Sequence, residues 1–82
     1  MKAQDFDQLS IENKMQWVYF EGEFVMDIRY YGFKINLYRI KDFFIEVFFD
    51  HKENRISKVL VLDRTSNRMK FYADQVKLDP VT

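Results

Sequence analysis

The sequence predicts an α+β fold: an N-terminal helix, a four-stranded antiparallel meander and a C-terminal helix in one domain spanning residues 1–82. Three observations carry this. Apolar residues recur at helical spacing as far as Gly22, alternate with polar ones through the middle of the chain, and return to helical spacing after Asp63. A composition 48% hydrophobic and 18% aromatic, with two Gly and one Pro, excludes disordered, collagen-like and low-complexity chains.

The first helix is expected over about residues 5–21. Ser10 is a suitable N-cap, Ile11, Met15 and Val18 follow at i, i+4, i+7, and Gly22 is the stop. Phe6 and Leu9 mark a short preceding helical turn. Strand one, about 23–31, alternates Phe24, Met26, Ile28 and Tyr30 with Val25, Asp27, Arg29 and Tyr31; strand two, about 33–40, does the same with Phe33, Ile35 and Leu37. A two-residue turn at Tyr31-Gly32 pairs Tyr30 with Phe33, Ile28 with Ile35 and Met26 with Leu37. Strand three, about 43–50, is the aromatic run Phe43-Phe44-Ile45-Glu46-Val47-Phe48-Phe49. A plain two-residue loop before it would set Leu37 opposite Glu46, so the reading favours a three-residue loop, Ile40 to Asp42, that sets Leu37 against Ile45. The polar turn around Asn54 leads to strand four, about 55–63, which is apolar on both faces, so periodicity leaves its inward side open; if Lys58 lies on the face of Glu46, Val59 and Val61 point inward with Ile45 and Val47. Thr65 or Ser66 caps the last helix, about 66–77, along which Met69, Tyr72, Ala73 and Val76 form a stripe; the tail from Asp79 is expected to fray.

The segment Leu37-Tyr38, the run Phe43 to Phe49, and Ile56-Ser57-Lys58-Val59 after a polar turn together resemble a group of short uncharacterised bacterial proteins with a helix before the strands. The resemblance implies this element order and an intracellular setting. It carries over no activity and no functional residue.

Thirteen basic and thirteen acidic side chains give zero net charge, with residues 1–32 at −3 and residues 33–82 at +3. No global field directs the chain to nucleic acid or an anionic membrane. Without cysteine there is no disulfide, thiolate metal site or Cys nucleophile. With no signal-like apolar start and no membrane-length apolar run, the expected address is cytoplasmic.

Catalytic chemistry finds little purchase. His51 lies between Asp50 and Lys52 in a polar turn, without a visible pocket, and reads as a solvated histidine. Asp50, His51 and Glu53 on one loop are too few for zinc. Ser10, Thr65 and Ser66 occupy capping positions, Ser57 lies in a strand, and two isolated glycines make no phosphate cradle. The expectation is a non-enzymatic chain with no cofactor and no metal.

The informative feature is the far face of the sheet. With Phe33, Ile35, Leu37, Phe43, Ile45, Val47 and Phe49 as the core row, supported by Phe24, Tyr30, Trp17 and Phe20, the other face carries surplus aromatics. Tyr31, Tyr38, Phe44 and Phe48, with Lys34 and Lys58, form the candidate interaction face. The expected function is a small protein-interaction or structural module, a homodimer or a binder of another protein, held through that face. Two alternatives compete: single-stranded nucleic acid stacked on the same aromatics, disfavoured by Asp27, Asn36 and Glu46, and a plain monomer with one helix on each side.

Overall fold

A computed structural model describes residues 1–77 and has the expected α+β architecture. Its elements are α1 (Ala3–Asp7), α2 (Ile11–Glu21), β1 (Glu23–Tyr30), β2 (Phe33–Ile40), β3 (Phe43–Asp50), β4 (Arg55–Val61) and α3 (Met69–Lys77). The strands form one antiparallel meander in the order β1-β2-β3-β4. Within the N-terminal helical stretch, the short turn around Phe6 stands apart from the main helix as α1. Ser10 has extended backbone and its Oγ accepts the Asn13 N–H at 3.2 Å, so the cap that starts α2 also separates it from α1. Gly22 ends α2 by donating its N–H to the Val18 carbonyl at 2.9 Å; a Cβ there would lie 2.6 Å from that same oxygen, which makes glycine a requirement.

The β1–β2 register is the one alternation predicts, with Tyr30 opposite Phe33, Ile28 opposite Ile35 and Met26 opposite Leu37. A bulge at Val25 shifts the pairing beyond Met26. The β2–β3 register differs from expectation. The connection is a two-residue turn, Lys41-Asp42, with Lys41 at φ 55°, and Leu37 faces Glu46 while Asn36 faces Val47. This register sets a carboxylate in an apolar row. The fold answers by burying the carboxylate against cationic and phenolic partners on α3 and its entry loop.

The consequence is a core on both faces of the sheet. On one side Phe43, Ile45, Val47, Ile40 and Val59 pack under α1 and α2 with Phe6 and Val18; Phe6 and Phe43 rings lie 6.0 Å apart. On the other, Ile28, Ile35, Leu37 and Phe48 pack under α3 with Tyr72. The expected core row is therefore divided, Phe33, Ile35 and Leu37 going with Phe48 rather than with Ile45 and Val47. On β4, whose inward side periodicity leaves open, Lys58 shares the Phe48 and Glu46 side and Val59 points with Ile45 and Val47. On α2, Ile11 is exposed and Lys14 is buried instead, reversing their expected roles. Phe20 and Phe24, expected to reach the core, are 75% and 56% exposed. Helix α3 begins at Met69 rather than 66, because Asp63 to Arg68 forms turns in which the Ser66 Oγ accepts the Arg68 N–H at 3.1 Å. The tail expected to fray lies outside the described residues.

Candidate interaction surface

The site chosen by residue chemistry alone would be Glu46. It sits mid-strand in β3 with no exposed surface, and its carboxylate accepts from Arg68 Nε at 2.7 Å, Arg68 Nη2 at 2.8 Å and the Tyr72 hydroxyl at 2.9 Å. Alternation aims Glu46 at the α3 side, and Arg68 and Tyr72, four residues apart across the start of α3, reach down from one helical face. The Arg68 guanidinium is sandwiched above Phe48, 5.1 Å from the ring centroid, and beside Tyr30 at 5.8 Å. Burial first, then the Glu46 charge and hydrogen bond, raise the Tyr72 phenol well above its ordinary pKa. The hydrogen bond from Arg68 to Glu46 likewise raises the Arg68 pKa and holds the guanidinium charged. Both carboxylate oxygens are occupied by donors within the fold, so this cluster is a tie between sheet and helix. Strand alternation gave no warning of it; the available signal was a lone Glu in an otherwise apolar strand, followed later by an Arg and a Tyr at i, i+4.

The six residues of the candidate face do not share a surface. Phe48 is 1% exposed, buried beneath α3, with the Lys58 ammonium 4.7 Å over its ring. Phe44 lies on the same side of the sheet but beyond the cover of α3, and it is exposed. Tyr38 lies on the opposite side, partly buried against the α1/α2 core, in edge contact with Phe24 at 5.7 Å. Lys34, directed to that side by alternation, is half-buried opposite Phe49. Tyr31 stands in the turn, 83% exposed, its ring against Tyr30 at 4.7 Å. One helix layer covers each face, so these six residues do not form one open platform.

Exposed aromatic surface gathers instead around the junction of α2 with β1. Tyr19 and Phe20, stacked edge to face at 5.3 Å, are 83% and 75% exposed at the end of α2. Phe20 borders a shallow groove of about 360 Å³ along with Leu9 and Trp17. Across the Glu21-Gly22-Glu23 link, Phe24, Val25 and Phe44 line a second depression of about 560 Å³, with Glu23 and Arg39 paired at 3.3 Å on its rim. His51 is exposed, its ring edge-on to Phe49 at 5.4 Å, and the Asp50 carboxylate turns to the Lys52 and Glu53 N–H groups at 2.9 and 3.2 Å. Among the described residues there is no group of three His, Cys, Asp or Glu able to hold a metal ion, and no helix long and apolar enough to cross a membrane.

The two edges of the sheet are treated differently. On β4 two outward backbone groups are engaged: the Val59 carbonyl accepts from Lys14 Nζ at 2.8 Å and the Val61 N–H donates to Asp7 Oδ1 at 3.3 Å. This explains the buried lysine on α2. On β1, the two-residue turn makes Tyr30, and with it Ile28 and Met26, the residues bonded to β2, so the N–H and C=O groups of Asp27 and Arg29 point outward. Among the described residues they bond to no other element. Comparison with protein-family models, curated proteins and solved structures returns no match, so the geometry alone bears on what this chain does.

Proposed function

We propose that the chain is a non-enzymatic protein-interaction module that binds through the aromatic junction of α2 and β1. The observation that supports this is the combination of a filled two-sided core with Tyr19, Phe20, Phe24, Val25 and Phe44 left exposed on either side of one short link. Aromatic side chains of this size dominate interface energetics because they bury much area with little loss of rotamer freedom. Nothing in the core needs them: α1 and α2 already cover one face with Phe6, Met15, Trp17 and Val18, and α3 covers the other.

The test is site-specific photocrosslinking in an extract of the host cells, with the reactive group placed in turn at Phe20, Phe24 and Phe44, and at Lys52 and Glu53 as exposed polar controls. Crosslinks, to another chain or to a second copy, are expected at the three aromatic positions and sparse at the controls. Equal yields at all five positions would count against the reading.

A further inference from the structure

We infer that β1 pairs antiparallel with β1 of a second copy, about a two-fold axis at Ile28, joining two four-stranded sheets edge to edge. This goes beyond the interaction-module reading, because the seam is the open backbone edge of β1 rather than the aromatic junction beside it. The open backbone groups of Asp27 and Arg29 contrast with the β4 edge, where Lys14 and Asp7 engage the Val59 carbonyl and the Val61 N–H. An unblocked edge strand is a template for another strand.

The sequence of β1 selects the register. Regular strand runs from Met26, after the bulge at Val25, to Tyr30, before the turn at Tyr31-Gly32, and Ile28 is its midpoint. Pairing about Ile28 places Asp27 of each chain opposite Arg29 of the other as hydrogen-bonded pairs, Met26 opposite Tyr30, and Ile28 opposite its own copy. The registers one pair away would place Asp27 against Asp27 or Arg29 against Arg29, like charges directly opposed. Charge complementarity therefore favours a single alignment.

Within one chain Arg29 has an unfavourable neighbour. Its partner across β2 is Lys34, and among the described residues it makes no ion pair. The Asp27 carboxylate of a second copy supplies the missing counter-charge. The same alignment brings Tyr31, exposed in the turn of one chain, beside the bulged Val25 of the other, so exposed apolar groups at both ends of the run acquire contacts. A two-fold axis normal to the sheet leaves both α3 helices on one side, continuing the apolar row Met26, Ile28 and Tyr30 across the seam.

The decisive experiment is sedimentation of the full chain over the micromolar-to-millimolar range suited to a small interface, with charge-exchanged variants. Wild type is expected to dimerise with concentration. Asp27→Arg and Arg29→Asp, which each oppose like charges twice, are expected to weaken the dimer about tenfold or more, and the double exchange to return it to within about threefold. Amide exchange on the wild type is a variant-free check: the N–H groups of Asp27 and Arg29 should slow as the dimer forms, while those of Ile28 and Tyr30, already bonded to β2, change little. A chain monomeric throughout, or a dimer whose Asp27 and Arg29 amides stay fast and whose affinity ignores the exchanges, overturns the edge pairing. Crosslinks at Phe20, Phe24 and Phe44 to a different protein would leave the module reading standing in either case.

Discussion

Removing the cation from the Glu46 cluster is the sharpest perturbation of this fold. Arg68→Met keeps an apolar stem over Phe48 and Tyr30 but withdraws both donors, at 2.7 and 2.8 Å, from a carboxylate with no exposed surface. Breaking a buried pair from one side costs about 3–5 kcal/mol, because the remaining charge is cut off from water and keeps only the neutral Tyr72 hydroxyl as a donor. A domain of 82 residues is stable by only about 4–12 kcal/mol in total. The variant is thus expected to lose a large share of its stability and to melt at least about 12 °C lower, at about 4 °C or more per kcal/mol for this chain length. Replacing the whole cluster, Glu46→Leu with Arg68→Met and Tyr72→Phe, removes the charge along with its partners and is expected to lie within about 1 kcal/mol of wild type or above it.

Urea unfolding followed by far-UV circular dichroism and by Trp17 fluorescence measures both variants. Trp17 packs on the α1/α2 side, across the sheet from Arg68, so coincident transitions would show that the loss is global rather than a local detachment of α3. The reasoning is refuted if Arg68→Met costs less than about 1 kcal/mol, or if the triple variant is as unstable as the single one.

Three further outcomes follow from particular side chains. The Tyr72 pKa is raised by burial and by Glu46, so its contribution is present in full below the unfolded value of 10.0 and is lost as pH rises above it; urea midpoints measured up to about pH 11 should fall more steeply for wild type than for Tyr72→Phe. Lys14→Met removes a charged donor from the Val59 carbonyl and should cost about 1.5–3 kcal/mol in denaturant titration, while increasing association through the uncovered β4 edge; an unchanged midpoint would show that the bond at 2.8 Å contributes nothing. Lys41 holds a left-handed φ of 55°, so Lys41→Asn should stabilise by about 0.5–1 kcal/mol and Lys41→Ile destabilise by at least about 1 kcal/mol, with equal midpoints counting against strain at the turn.

What could be read in the sequence follows the range of the interactions involved. The β1–β2 hairpin was legible because its register is decided by two alternating rows and one short turn, all within eighteen residues of chain. The β2–β3 register was misread because the local pattern penalises Glu46 opposite Leu37, and the groups that remove the penalty lie on another element, Arg68 being 22 residues further on. The same blindness applies to Lys14, which helical periodicity assigns to solvent and a backbone carbonyl 45 residues away draws into the interior. The candidate surface inherited the register error. Shifting β3 by one residue moves Phe48 to the opposite face, which is why an aromatic expected outside is found in the core. Phe24 lies beyond the bulge at Val25 and Phe20 at the end of α2, and both are found at the surface.

The buried polar residues are better understood as specification than as stabilisation. An ion pair the size of Glu46–Arg68 contributes little net free energy relative to hydrophobic packing of the same volume, but it discriminates strongly among alternatives. With β3 slipped by one residue, Glu46 would turn to the α1/α2 side, away from Arg68 and Tyr72, and its desolvation would go uncompensated. The two-residue Lys41-Asp42 turn, with its unfavourable φ at Lys41, is held by that penalty. Lys14 acts in the same way at the edge of the sheet, where its bond withdraws the Val59 carbonyl from a foreign strand. A fold that commits a lysine and an aspartate to two backbone groups of β4, yet leaves β1 with Asp27 and Arg29 alternating along five regular residues, has one edge on which pairing is obstructed and one on which opposite charges favour a single register.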